Sequence, residues 1–157
     1  MQKRTVLIGV LAVLGAGAWY AFRPERLFVN QKVSESLGDV AATNATVATG
    51  QFHGVHHDTK GTASIIRVGG GKQVLRLTGF ETSNGPDVRV YLVAAPDAND
   101  NATVTTAGFV EVGALKGNIG DQNYDVPASV DLSKYRTVTI WCRRFGVNFG
   151  SAPLAAM

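Results

Sequence analysis

The run Thr62-Ala63-Ser64-Ile65-Ile66-Arg67-Val68-Gly69-Gly70-Gly71-Lys72-Gln73-Val74-Leu75-Arg76-Leu77-Thr78-Gly79-Phe80 decides the fold. Two stretches rich in aliphatic and β-branched residues flank a short glycine break. Glycine reaches the positive φ that tight hairpin turns need, so the run reads as strands Thr62–Val68 and Gln73–Phe80 joined at Gly69–Lys72. The same pattern recurs at Val88–Val93, Phe109–Val112, Tyr124–Val126, Thr137–Cys142 and Val147–Phe149. Asn84-Gly85-Pro86-Asp87 is a second turn, with proline preset for an early turn position. Between Gly50 and Met157 no stretch keeps the helical i, i+3, i+4, i+7 spacing long enough to make a buried helix face. Strands without intervening helices predict an all-β domain, an antiparallel sandwich or barrel.

Working outward, 157 residues suit one domain with an appendage. A hydrophobic fraction of 45% excludes a disordered charged tail. The formal net charge of +3 is unevenly spread: residues 1–33 carry +4 and the remainder −1. The folded part therefore lacks the basic face that nucleic-acid binding requires. With 1 cysteine, neither a disulfide framework nor a cysteine-based zinc site is available.

The positive excess belongs to a leader. Met1-Gln2-Lys3-Arg4 precedes an uncharged apolar run, Thr5–Phe22, with Trp19 and Tyr20 at its far end. A basic start followed by an apolar run is the form of a signal peptide or an N-terminal signal anchor. As a helix this run rises ~27 Å against a hydrocarbon core of ~30 Å, and terminal aromatics suit the lipid–water boundary. Ala16-Gly17-Ala18 also meets the small-residue need of a signal peptidase, so retention and removal both stay open. Residues 1–22 are read as transmembrane/signal helix, 23–49 as spacer and 50–157 as the β domain. On either outcome the domain lies on the extracytoplasmic side, periplasmic or cell-surface, membrane-anchored or secreted.

Two residue groups carry chemistry. His53, His56 and His57 cluster at a strand end, where solvated histidines and metal ligands both occur. Cys142 shares a β face with Val138 and Ile140, while Trp141 joins Thr137 and Thr139, so the thiol should be partly or fully buried. A buried thiol is ordinarily an inert small hydrophobe. An unpaired thiol in an oxidising compartment nevertheless calls for a use, and the adjacent Arg143 and Arg144 would favour the thiolate. A thiolate can be oxidised or can ligate haem iron or copper. Several familiar motifs are incomplete. No histidine follows Cys142 as blue copper requires, and covalent haem attachment needs a second cysteine. The run from Asp97 begins like a calcium loop but has Ala102 where glycine is obligatory. No Gly-x-Ser-x-Gly or His-Glu-x-x-His is present, so the familiar hydrolase signals are absent.

Taken together, Gly50-Gln51-Phe52, His57, Gly61-Thr62-Ala63, Asn84-Gly85-Pro86-Asp87, Leu115-Lys116-Gly117 and Trp141-Cys142-Arg143-Arg144-Phe145 follow one another in a family's order and spacing. The domain resembles the DM-thirteen electron-transfer family, the Skeletor-like domain, from Gly50 to Leu154. The resemblance implies electron transfer through the family's signature cysteine, here Cys142, as a naked thiol or through a haem or metal group. It implies a separate haem- or cytochrome-containing redox partner. His57 becomes the expected second ligand or proton acceptor, His56 a further metal candidate and Arg143 the thiolate-favouring cation. No cofactor is required by the sequence. The alternative is a non-catalytic β-sandwich binding or adhesion module at the cell surface, with the Asp97–Thr106 loop and Tyr91, Tyr124 and Tyr135 as contact residues.

Overall fold

The computed structural model describes residues 2–22, 29–37 and 45–157. Eleven strands run in chain order: β1 (Lys32–Ser34), β2 (Ala45–Gln51), β3 (His53–Gly54), β4 (Lys60–Arg67), β5 (Gln73–Glu81), β6 (Val88–Val93), β7 (Phe109–Ala114), β8 (Ile119–Val126), β9 (Thr137–Cys142), β10 (Val147–Pro153) and β11 (Ala155–Ala156). Helices α1 (Gln2–Phe22) and α2 (Asn101–Ala107) and a short 3-10 turn, Gly69–Gly71, complete the described elements. One sheet has the order β1-β8-β5-β4-β2-β11 and the other β3-β10-β9-β6-β7.

The opening hairpin forms where the sequence places it. Gly70 and Gly71 adopt φ of 76° and 75°, and Val68 N–H donates to the Lys72 carbonyl at 2.8 Å. Ala63, Ile65, Leu75 and Leu77 of the first sheet then share one core with Val90, Leu92, Val138 and Ile140 of the second. The result is a two-sheet sandwich. Its pairings are antiparallel except β1 with β8, which is parallel. Phe52 marks the corner where the chain leaves β2 for β3 in the other sheet, its ring edge-on to Phe80 at 5.3 Å.

Several expectations change. Residues 32–34 and 45–49, read as spacer, are strand residues, because their backbone groups complete the edges of β8 and β4. The polar Asp97–Thr106 loop contains α2, which folds back over the second sheet. Asp100 caps α2 by accepting from Thr103 N–H at 2.6 Å, and Val104 turns inward. Ala98 and Val104 pack with Tyr91, Val93 and Trp141, so β9 is buried on both faces. The loop is thus a cover rather than a display surface, and Tyr91 and Tyr124 are core residues rather than contact residues.

The leader forms the helix α1, with Val6, Ile8, Leu11, Val13 and Leu14 exposed. Among the described residues, no helix is long and apolar enough to cross a membrane, so the transmembrane reading of residues 1–22 is not supported. The turn at Arg23-Pro24-Glu25-Arg26 and the small-residue run Ala41–Asn44 lie outside the described residues.

Candidate functional site

Cys142 ends β9, in register with Val147 of β10 and Val88 of β6. Its alternation with Val138 and Ile140 turns the sulfur inward, where it is 0% exposed within the core cluster that includes Val88, Ile140, Val147 and Phe149. Directly after it the chain reverses: Gly146 N–H donates to the Cys142 carbonyl at 2.8 Å, and Gly146 takes φ of 63°, a value that favours glycine. The thiol therefore lies under a tight turn at one end of the sandwich.

The Gly85-Pro86-Asp87 loop closes the same end. A side chain at Gly85 would press on Val88 and on the Phe149 ring, so the backbone lies directly over two residues of the Cys142 cluster. Asp87 ties this loop to the turn. Its carbonyl accepts from Arg143 N–H at 2.9 Å, and its carboxylate accepts from Arg143 Nε at 2.9 Å and Arg89 Nε at 2.7 Å. Arg89 also reaches Glu111 at 2.9 Å, giving a four-member charge network. Burial works against ionisation of Asp87, but the hydrogen bonds from Arg89 and Arg143 outweigh it and hold the carboxyl below its usual range. Arg143 is thus committed to Asp87 rather than aimed at the thiol. Beside this loop lies a cavity of about 120 Å³ lined by Gln31, Asn84, Asp87, Leu115 and Asn118 among others, and Cys142 is not in its wall.

The three histidines take separate partners. His53 Nε2 meets the Asp97 carboxylate at 2.9 Å, and the exposed His56 places Nδ1 3.0 Å from the Asn148 carbonyl. His57 is half-buried, its ring centroid 3.9 Å from that of Phe149, and its backbone N–H donates to the Phe149 carbonyl. Burial, with the charge of His56 adding, holds the His57 imidazole below its usual pKa. Of the sequence-selected residues, His57 and Cys142 thus share Phe149 as a structural neighbour, whereas His56 and Arg143 point their polar groups elsewhere.

The residues do not fit a haem or copper site as they stand. Cys142 is fully buried in the apolar core between the sheets, and among the described residues no three His, Cys, Asp or Glu side chains group as ligands. The calcium-loop start is likewise taken up: Asp97 binds His53, Ala98 N–H and Asn99, while Asp100 caps α2.

Sequence reasoning missed a strap across this end. The Asn30 side-chain oxygen accepts from Asn84 and Asn118, Gln31 N–H donates to Asn118, and Glu35 pairs with Lys116 at 2.8 Å. Gly117 and Gly120 make room, because a Cβ at either would run into Gln31 or Val33. The signal was present in the glycines of the 113–124 motif, but their counterpart lies more than eighty residues earlier in the chain.

A family model described as electron transfer DM13 matches residues 51–154. Neither the curated proteins nor the solved structures yield a match.

Proposed function

This chain belongs to the electron transfer DM13 family, and from that premise we propose that it is an extracytoplasmic electron-transfer module whose redox atom is Cys142, working as a naked thiol. The observation that carries the reading is the match to the electron transfer DM13 family over residues 51–154, a span that includes the unpaired Cys142, buried beneath the turn that follows Trp141-Cys142. A thiol there meets no second cysteine and no solvent, so its oxidation is shielded from the disulfide and sulfenic chemistry of exposed thiols. Enclosure also favours the naked thiol over a haem or copper ligand, since ligation would require the sulfur to leave its packed position. Lys3 and Arg4 ahead of the apolar leader support export. A separate haem- or cytochrome-type chain supplies or accepts the electron.

The test is an equilibrium redox titration of the purified chain against Cys142→Ala, with spectra recorded with and without added haem or copper. The wild type should show a reversible transition that the variant lacks, and no new metal absorption band. Identical titrations in both proteins would remove Cys142 from the reading.

A second reading, a non-catalytic binding module, draws on the same burial, because a sealed thiol is also what a passive core supplies. In that case the two proteins titrate alike.

A further inference from the structure

The outer face of the second sheet carries a feature that the thiol does not explain. Trp141 and Tyr91 project from neighbouring strands, with ring centroids 6.3 Å apart and planes 25° apart. Tyr91 in turn lies flat on Phe109, at 4.2 Å and 3°. Exposure runs from 6% at Trp141 and 2% at Tyr91 to 45% at Phe109 on the edge strand β7. The three rings thus form a column that begins one peptide bond from Cys142 and opens at the surface. By contrast, Phe52, Phe80 and Phe149, whose rings resist oxidation, lie in the core between the sheets. Aromatic stacking contributes stability of itself. Stability alone does not require that an oxidisable indole be linked ring to ring with an exposed edge.

We propose that Trp141, Tyr91 and Phe109 form an electron path between the buried end of β9 and the outer face of β7, with the Trp141 indole as the oxidisable station. This deepens the electron-transfer reading and rests on it for the direction of traffic. One electron leaves the indole for a one-electron oxidant at Phe109, leaving a radical cation and reducing the oxidant by one. One electron from a reduced haem protein restores the ring. No bond forms or breaks and no proton moves. Tyr91 serves as a neutral bridge, since burial and the nearby Glu111 charge keep its phenol protonated.

The experiment uses the full chain with Trp19→Phe and Cys142→Ala, so that Trp141 is the indole observed and the thiol plays no part. A ruthenium photosensitiser is attached through Glu111→Cys, or for comparison through Lys60→Cys on the first sheet. Flash oxidation followed at the indole-radical band should be at least ten-fold faster from position 111 than from position 60. Tyr91→Leu should slow it at least ten-fold and Tyr91→Phe should restore it. Phe109→Leu, at the surface, gives the same comparison if Tyr91→Leu fails to fold. Equal rates from the two positions, or from the Leu variants and their parent, would overturn the path. Because every protein compared lacks the thiol, failure here leaves the role of Cys142 untouched, and the reverse also holds.

Discussion

At residue scale, position 142 shows how one face assignment sets chemistry. The period-two reading of Thr137–Cys142 puts the thiol with Val138 and Ile140, and the structure places all three in the inter-sheet core. What the alternation could not reveal was that the opposite face, with Trp141, is buried too. That face is covered by α2, whose polar composition hides the inward Ala98 and Val104. His57 offers a measurable consequence. Its folded pKa lies below the ordinary value of about 6.5, chiefly through burial against Phe149, with His56 adding and Asp58 opposing. The neutral ring is the form that folds best, so its contribution is complete above about pH 6.5 and is lost as pH falls toward the lowered value. Urea unfolding at pH 8 and pH 5 should show wild type losing stability on acidification, and His57→Phe should flatten that part of the profile. A profile unchanged by the substitution would remove His57 as its source.

At element scale, the strap formed by residues 30–36 is the least expected part of the molecule. It lies before the matched family span, yet it adds β1 to β8 and walls the cavity beside the Gly-Pro-Asp loop. Lys116 donates to the Glu35 carboxylate and, with the Asn123 N–H, holds that carboxyl below its usual range. Gly120 is where the strap is most vulnerable. It has φ of 104°, and a Cβ there would collide with the Val33 carbonyl. Gly120→Ala should therefore cost well over the ~1 kcal/mol typical of a point change. The early site of damage should be visible as faster amide exchange at Glu35 N–H, which donates to the Asp121 carbonyl in the wild type. Exchange and stability equal to wild type would mean that the strap does not depend on this close approach.

At the scale of the whole molecule, the strands that were legible are those whose side chains alternate against one core: β4, β5, β6 and β9 lie within a residue or two of their sequence limits. β1, β2, β3 and β11 were not legible. β1, β3 and β11 are edge strands of two or three residues defined by backbone pairing, and β2, inside the first sheet, carries mostly small side chains such as Ala45, Thr46 and Ala48, so none leaves a clear periodic trace. The candidate site divides in the same way. The burial of Cys142 follows from local pattern, whereas the Asp87 network, the strap and the aromatic column join residues distant in sequence and emerge only when strands pair within each sheet. That assembly gives the central claim its physical form: an enclosed thiol that exchanges electrons without being exposed.

The most direct measurement compares two rates on the native chain under the same conditions. One is the loss of the Cys142 thiol to an outer-sphere one-electron oxidant such as hexachloroiridate, and the other is its alkylation by a maleimide, both read by mass spectrometry after quenching. Alkylation requires the sulfur to be uncovered, so it should proceed no faster than the fold opens. Oxidation should outrun it by at least ten-fold if electrons cross the closed domain. Matching rates would mean that Cys142 reacts only when the sandwich opens, and would contradict the account.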